Sequence, residues 1–150
     1  TIRQIDGHIP EIQQLNPAYI FLCYGLNDMV QEGWETPELY ADAYRQTVTK
    51  LQSAFPDAKI YINSIFPVRD PAFERWEKWR QSQDYSDAVE TMCAETGCYF
   101  IANENLQNSL DEYWQEDGIH FYSDFYPLWA TNMIMEVYDS ELETLEDPAA

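Results

Sequence analysis

Basic residues are scarce in this sequence. Eight lysines and arginines stand against 27 aspartates and glutamates in 150 residues, a formal net charge of -19. A chain so acidic repels phosphate backbones and anionic bilayers, so no nucleic-acid partner is expected. The simplest use of the acidity is solubility rather than a dedicated cationic partner. Cysteine is scarce too. Cys23, Cys93 and Cys98 form an odd set without close spacing, which argues against a disulfide framework or a zinc site. Cys93 and Cys98 would have to bridge a helix and a strand, a poor geometry for a disulfide, so free and buried thiols are expected. Histidine is limited to His8 and His120, and no His-rich or Cys-rich spacing builds a metal site; neither metal nor cofactor is expected. No glycine-rich loop cradles a phosphate, and no apolar run reaches the ~20 residues that cross a bilayer. Internal repeats, low-complexity tracts and linkers are missing as well, and the compartment is left open.

What is present fits one domain over residues 1–150. Its organising stretch is Tyr19-Ile20-Phe21-Leu22-Cys23-Tyr24-Gly25-Leu26-Asn27-Asp28. An apolar run without polar alternation predicts a strand over 18–24, covered on both faces as in a parallel sheet. Gly25 permits a tight turn or a close backbone approach. Asn27 and Asp28 then fall at the carboxyl end of the strand, where open α/β sheets bind ligands.

Before that strand, Ile2, Ile5, Ile9, Ile12 and Leu15 mark one helical face, which Gly7 and Pro10 divide into one interrupted helix or two pieces. Thr36-Pro37 starts a helix with Leu39, Tyr44, Val48, Leu51 and Phe55 on one face, stopped by Pro56-Asp57. A second strand covers 59–65. Asp70-Pro71 opens a segment with Trp76 and Trp79 near Arg75, Lys78 and Arg80, the one basic pocket of the chain. A helical pattern through Tyr85, Val89, Met92 and Cys93 ends at Gly97, and a third strand covers 98–102. Residues 103–116 read as a loop with a short helical piece around Leu106 and Leu110. A last helix begins near Ser123, using Phe125, Leu128, Trp129, Met133 and Val137, and the acidic tail from Glu141 to Ala150 frays. Strands alternating with helices predict an α/β fold with a parallel sheet between helix layers.

Asp117 and His120 are the sharpest chemical pair. A carboxylate beside an imidazole fixes its tautomer, holds its orientation and stabilises the imidazolium formed on proton transfer. The competing reading is a local cap with a surface histidine. Asn27 supplies a neutral amide donor suited to a developing oxyanion; alternatively Asn27 and Asp28 form a turn and cap the loop, and Asp28 is expected to be structural. Core packing accounts for most of the five tryptophans and 11 tyrosines. For a pocket lining, Trp34 and Trp76 are the choices, because both follow strand ends.

Taken together, these features resemble the SGNH hydrolases, the GDSL-like lipases and esterases. Tyr24-Gly25-Leu26-Asn27-Asp28 is similar to that family's third block, Gly-x-Asn-Asp, and Asp117-Gly118-Ile119-His120 to its fifth, Asp-x-x-His. Ser64-Ile65-Phe66-Pro67-Val68 resembles the strand end between them. The resemblance implies a three-layer α/β/α fold with a flavodoxin-like parallel sheet. It implies His120 as general base, Asp117 as its orienting carboxylate, Asn27 as oxyanion donor, and Gly25 as the turn that serves the site; Trp34 is the substrate-side candidate on its position after a strand end alone. The implied activity is hydrolysis of small acyl esters, such as O-acetyl groups on carbohydrate. The family's Gly-Asp-Ser block and the glycine of its second block have no counterpart here. Ser53, Ser64, Ser82, Ser86, Ser109, Ser123 and Ser140 lack that context. The expectation is a carboxyl-terminal portion whose sheet is completed by a missing N-terminal segment or a second chain, which carries the nucleophile; otherwise strand 18–24 keeps an unpaired apolar edge. The alternative is a non-catalytic binding or scaffold domain on the same fold.

Overall fold

A computed structural model of the chain describes residues 1–103, 106 and 111–146. A short 3-10 helix, Ile2–His8, runs into α1 (Ile9–Gln13), β1 (Tyr19–Leu22), α2 (Leu26–Met29) and α3 (Pro37–Ala54). β2 (Lys59–Asn63), α4 (Ala72–Arg75), α5 (Ser82–Thr96), β3 (Tyr99–Ile101) and α6 (Tyr126–Glu146) follow. The strands form one parallel sheet in the order β1-β2-β3, with Ile20 opposite Ile60 and Ile62 opposite Phe100. This is the α/β/α arrangement expected, with α3 and α5 on one face and α6 on the other.

Continuous burial belongs to β2, where Ile60, Tyr61, Ile62 and Asn63 are all buried. The expectation that residues 18–24 form a strand covered on both faces is corrected. β1 is shorter and alternates: Ile20 and Leu22 are buried, while Tyr19 and Phe21 are 43% and 38% exposed. The reason is position. β1 pairs only with β2 among the described strands, and α6 lies over the β2–β3 side, where the Tyr61 hydroxyl meets Ser140 Oγ at 2.7 Å. Tyr19 and Phe21 lie against Tyr61, at ring separations of 6.2 and 5.2 Å.

α3 starts as its sequence dictates. Thr36 Oγ1 accepts from the Leu39 amide (3.4 Å) and Pro37 takes the first helical position. Its inner face is Tyr40, Tyr44, Val48 and Leu51, a period that leaves Leu39 outside, 47% exposed. At the amino end, Ile2 and Ile5 are buried but Leu15 is 78% exposed, so the expected five-residue face is cut short. α6 persists to Glu146 rather than fraying from Glu141, which is held by Lys59 (2.9 Å) and the Tyr19 hydroxyl (3.2 Å). Leu128, expected inside, is exposed on α6, as are Ile134, Met135 and Tyr138. The helical piece expected around Leu106 and Leu110 falls largely outside the described residues. Cys93 is buried and all three thiols are free, while Cys23 is exposed rather than buried.

The Tyr40 and Tyr44 hydroxyls lie in the core with no hydrogen-bond partner among the described residues, and burial pushes both phenols well above the ordinary range. A buried hydroxyl without a partner is a net cost that phenylalanine removes at constant ring volume. Tyr44→Phe is therefore expected to raise the unfolding free energy in urea by about 1 kcal/mol; a clear loss of stability would show that the oxygen is bonded.

Candidate active site

Beyond the carboxyl ends of β1 and β2, the chain forms a cleft of about 340 Å³ whose lining includes Gly25, Asn27, Asn63, Ser64, Phe66, His120, Tyr126 and Trp129. On the β1 side, α2 begins directly after the strand, with the Asp28 and Met29 amides both donating to the Gly25 carbonyl at 2.8 Å. A side chain at Gly25 would overlap Ile65, which follows β2, so glycine lets the two strand ends approach. Asp28 is 1% exposed and its Oδ1 accepts from the Ile2 amide at 2.7 Å. Burial raises its carboxyl above the usual carboxylate range, and the Ile2 amide acts against that rise. Asp28 thus ties the amino-terminal helix to the turn, as expected of a structural residue. Asn27, one position earlier, is exposed and its side-chain amide bonds no described residue; only its carbonyl is engaged, by Gln31 Nε2 at 3.2 Å.

The opposite wall comes from residues 113–122. Trp114 and Phe121 form an antiparallel bridge, the Gln115 amide donates to the His120 carbonyl (2.8 Å), and Gln115 Nε2 donates to the Phe121 carbonyl (2.8 Å). Within that loop, Asp117 Oδ1 accepts from the Ile119 and His120 amides, each at 2.9 Å, while Oδ2 lies 2.6 Å from His120 Nδ1. Cap and pair, the two readings of this motif, coexist in one carboxylate. Those bonds from His120 and Ile119 lower the Asp117 carboxyl from 3.8 to about 2. With Nδ1 donating to Asp117, Nε2 is left as the imidazole's acceptor. Gly118 has φ +68°, and a Cβ there would sit 2.5 Å from the Arg69 carbonyl oxygen. The Arg69 amide donates to the Gly118 carbonyl at 2.9 Å, fastening this turn to the loop after β2.

His120, Asn27 and Gly25 are thus brought to one cleft, with Asp117 hydrogen-bonded to His120 from behind. Trp34 is not brought there. It is 2% exposed, packs edge-on against Tyr40 and carries the Arg3 guanidinium over its ring. Its carbonyl takes bonds from the Tyr85 hydroxyl (2.7 Å) and Lys78 Nζ (2.9 Å). Trp34, expected on the substrate side, is thus placed in the core and lines no part of this cleft. Trp76 is exposed but lines no part of the cleft. The expected basic pocket also disperses, since Lys78 turns to Trp34 and Arg80 to Glu77. Sequence reasoning missed the lining by Asn63, Tyr126 and Trp129. Asn63 ends an apolar strand much as Asn27 follows one, and the two aromatic residues lie one turn apart just after His120.

Ser64 also lines the cleft, yet it is buried and its Oγ accepts from the Asn103 amide at 3.0 Å. Cys23 is exposed as a residue, but its Sγ is turned inward to buried Asn63, whose Nδ2 lies 3.2 Å away, and desolvation of the sulfur there pushes the thiol up to about 11. Neither is an activated nucleophile. Among the described residues, the His120 side chain bonds Asp117 and no hydroxyl, and no cluster of acids, histidines or cysteines suits a metal ion. No helix among the described residues is long and apolar enough to cross a membrane.

A parallel sheet between helix layers, with a hydrogen-bonded aspartate–histidine pair past its carboxyl edge, is the layout of an SGNH-type α/β hydrolase. The profile of the GDSL-like lipase/acylhydrolase family matches residues 1–126, and the chain belongs to that family. Solved structures share its fold. They include a GDSL-like lipase from Parabacteroides merdae (TM-score 0.72, 17% identity) and a mutant acetyl-xylooligosaccharide esterase from a Geobacillus species (0.67, 17%). A third is LAE5, an alpha/beta hydrolase enzyme from the metagenome of Lake Arreo, Spain (0.66, 15%). Each match covers 91% of this chain and 67% of the other. No curated protein sequence matches it.

The depressed Asp117 carboxyl has a consequence for stability. A group whose folded pKa lies below its unfolded value stabilises the fold fully above the unfolded value and loses that contribution as pH falls toward the folded one. The turn is therefore expected to weaken between about pH 4 and pH 2. Carbon-detected NMR should place the Asp117 titration near the lower end, and a midpoint near pH 4 would contradict the bonding. Gly118→Ala, strained at its φ and blocked by Arg69, is expected to cost about 1–3 kcal/mol in urea unfolding; an unchanged midpoint would show that the turn tolerates a side chain.

Proposed function

We infer that this chain carries the base, its orienting carboxylate and an oxyanion donor of a serine-type ester hydrolase. The observation behind this reading is the Asp117–His120 bond at 2.6 Å beside the unengaged Asn27 amide in one cleft. Membership of an acylhydrolase family supports it. The attacking hydroxyl comes from outside the described residues, among which no serine is bonded to His120.

In this reaction the hydroxyl oxygen attacks the acyl carbonyl carbon while His120 Nε2 takes its proton. Asp117 keeps the ring in the tautomer that can accept and balances the imidazolium. The carbonyl oxygen becomes an oxyanion, held by the Asn27 amide in a geometry set by the turn at Gly25. The tetrahedral centre then expels the alcohol, which leaves with the proton from His120. Water repeats the sequence on the acyl-enzyme and releases the acid. Substrates are small acyl esters, O-acetyl groups on carbohydrate above all; the Geobacillus structure of the same fold is an acetyl-xylooligosaccharide esterase.

In the enzyme that joins this chain to its nucleophile, His120→Ala should lower kcat by about a thousandfold or more with the fold intact. Esterase turnover equal to wild type would reject the assignment. Asn27→Ala should lower kcat by about 10²–10³ with little change in KM; a pure KM effect would remove Asn27 from the oxyanion site. The 150-residue chain alone should resist a fluorophosphonate probe, and stoichiometric labelling would locate the nucleophile inside it.

A further inference from the structure

Polar and aromatic side chains line the cleft together, Asn27, Asn63, Ser64 and His120 with Phe66, Phe121, Tyr126 and Trp129, and among the described residues no lysine or arginine side chain lines it. Phe66 and Phe121 are buried and spend their faces on each other (5.3 Å) and on Phe125 (5.3 and 3.9 Å). Tyr126 is different. It is 48% exposed and lies 6.4 Å from Trp129, with the ring planes 37° apart.

Trp129 is fixed in place. Its Nε1–H donates to Asn63 Oδ1 at 2.8 Å, and its ring stands edge-on to Phe66 at 5.2 Å. Asn63 is itself held, accepting from Asn103 Nδ2 (3.2 Å) and donating to Cys23 Sγ (3.2 Å). Asn103 Oδ1 accepts in turn from Asn132 Nδ2 at 3.1 Å. A buried amide network therefore sets the angle of an indole that lines the cleft. Such placement is costly to arrange for packing alone, because each member of a buried network must find its partner.

We propose that Tyr126 and Trp129 form a shelf that binds the uncharged pyranose ring of an acylated carbohydrate, with Asn63 the residue that positions the shelf. A pyranose offers one face of C–H groups to an aromatic ring and keeps its hydroxyls toward water and the polar lining. An anionic ring would meet a chain of net charge -19 with no lysine or arginine among the described lining residues. A long acyl chain would need more volume than about 340 Å³, near the small end of ligand pockets. The proposal takes its ester from the hydrolytic reading, but the shelf is a binding site whose test needs no turnover.

The test is a proton–nitrogen NMR titration of this chain with the methyl β-glycosides of xylose, glucose and galactose. Five indole signals are expected from Trp34, Trp76, Trp79, Trp114 and Trp129, and Trp129→Phe assigns the one that disappears. At least one glycoside should shift the Trp129 indole and the Tyr126 amide saturably while buried Trp34 stays still. Tyr126→Ala, at an exposed position that leaves the fold alone, should weaken the apparent affinity about tenfold, the loss of one stacked ring. Asn63→Ala should broaden or move the Trp129 signal before any sugar is added. No saturable shift with any glycoside, an equal response in Tyr126→Ala, or saturation by decanoate alone overturns the proposal. Absence of esterase activity in the parent enzyme would instead bear on the hydrolytic reading and leave the titration standing.

Discussion

The Asp117 carboxylate holds the backbone and the side chain of the same histidine. One oxygen collects the Ile119 and His120 amides, the other takes His120 Nδ1. An exposed histidine ordinarily samples several rotamers, at an entropic cost whenever a reaction needs one of them. Here the turn that orients the main chain also orients the ring. The close approach of Gly118 to the Arg69 carbonyl then ties that turn to the end of β2, so the imidazole is referenced to the sheet although its loop lies far along the chain. The Gly25 contact with Ile65 does the same for Asn27. Two loops, each locked to the region just beyond β2, define one cleft.

Much of this was legible in sequence because short motifs carry their own geometry. Gly25-Leu26-Asn27-Asp28 and Asp117-Gly118-Ile119-His120 are local, and the bonds within each motif span at most three residues. Helix α3 was readable from Thr36-Pro37, where propensity and capping agree. What failed was anything decided by neighbours distant in sequence. β1 reads as doubly buried because Tyr19-Ile20-Phe21-Leu22 is apolar throughout, yet its exposure depends on where α6 crosses the sheet. Trp34 follows a strand end, the usual place for a ligand contact, and nothing local reveals that Tyr85 and Lys78 claim its carbonyl from another element.

The aromatic lining of the cleft shows the same limit. Trp129 reads as one more apolar position of a helix, and only the three-dimensional structure shows its indole nitrogen bonded to Asn63 at the end of β2. The acidic end of α6 follows the same rule: Glu141 reads as solvent-facing charge until Lys59 and Tyr19 are placed beside it. In each case an amide, a phenol or an ammonium group far along the chain decides the outcome.

The most direct measurement is a crystal structure of the parent enzyme carrying a covalent phosphonate on its nucleophile, a mimic of the tetrahedral centre. The phosphonyl oxygen should lie within hydrogen-bond distance of Asn27 Nδ2, and His120 Nε2 should face the nucleophile's oxygen while Nδ1 stays on Asp117. An adduct with Asn27 turned to solvent, or with His120 released from Asp117 and directed elsewhere, would show that the cleft is not the reaction centre.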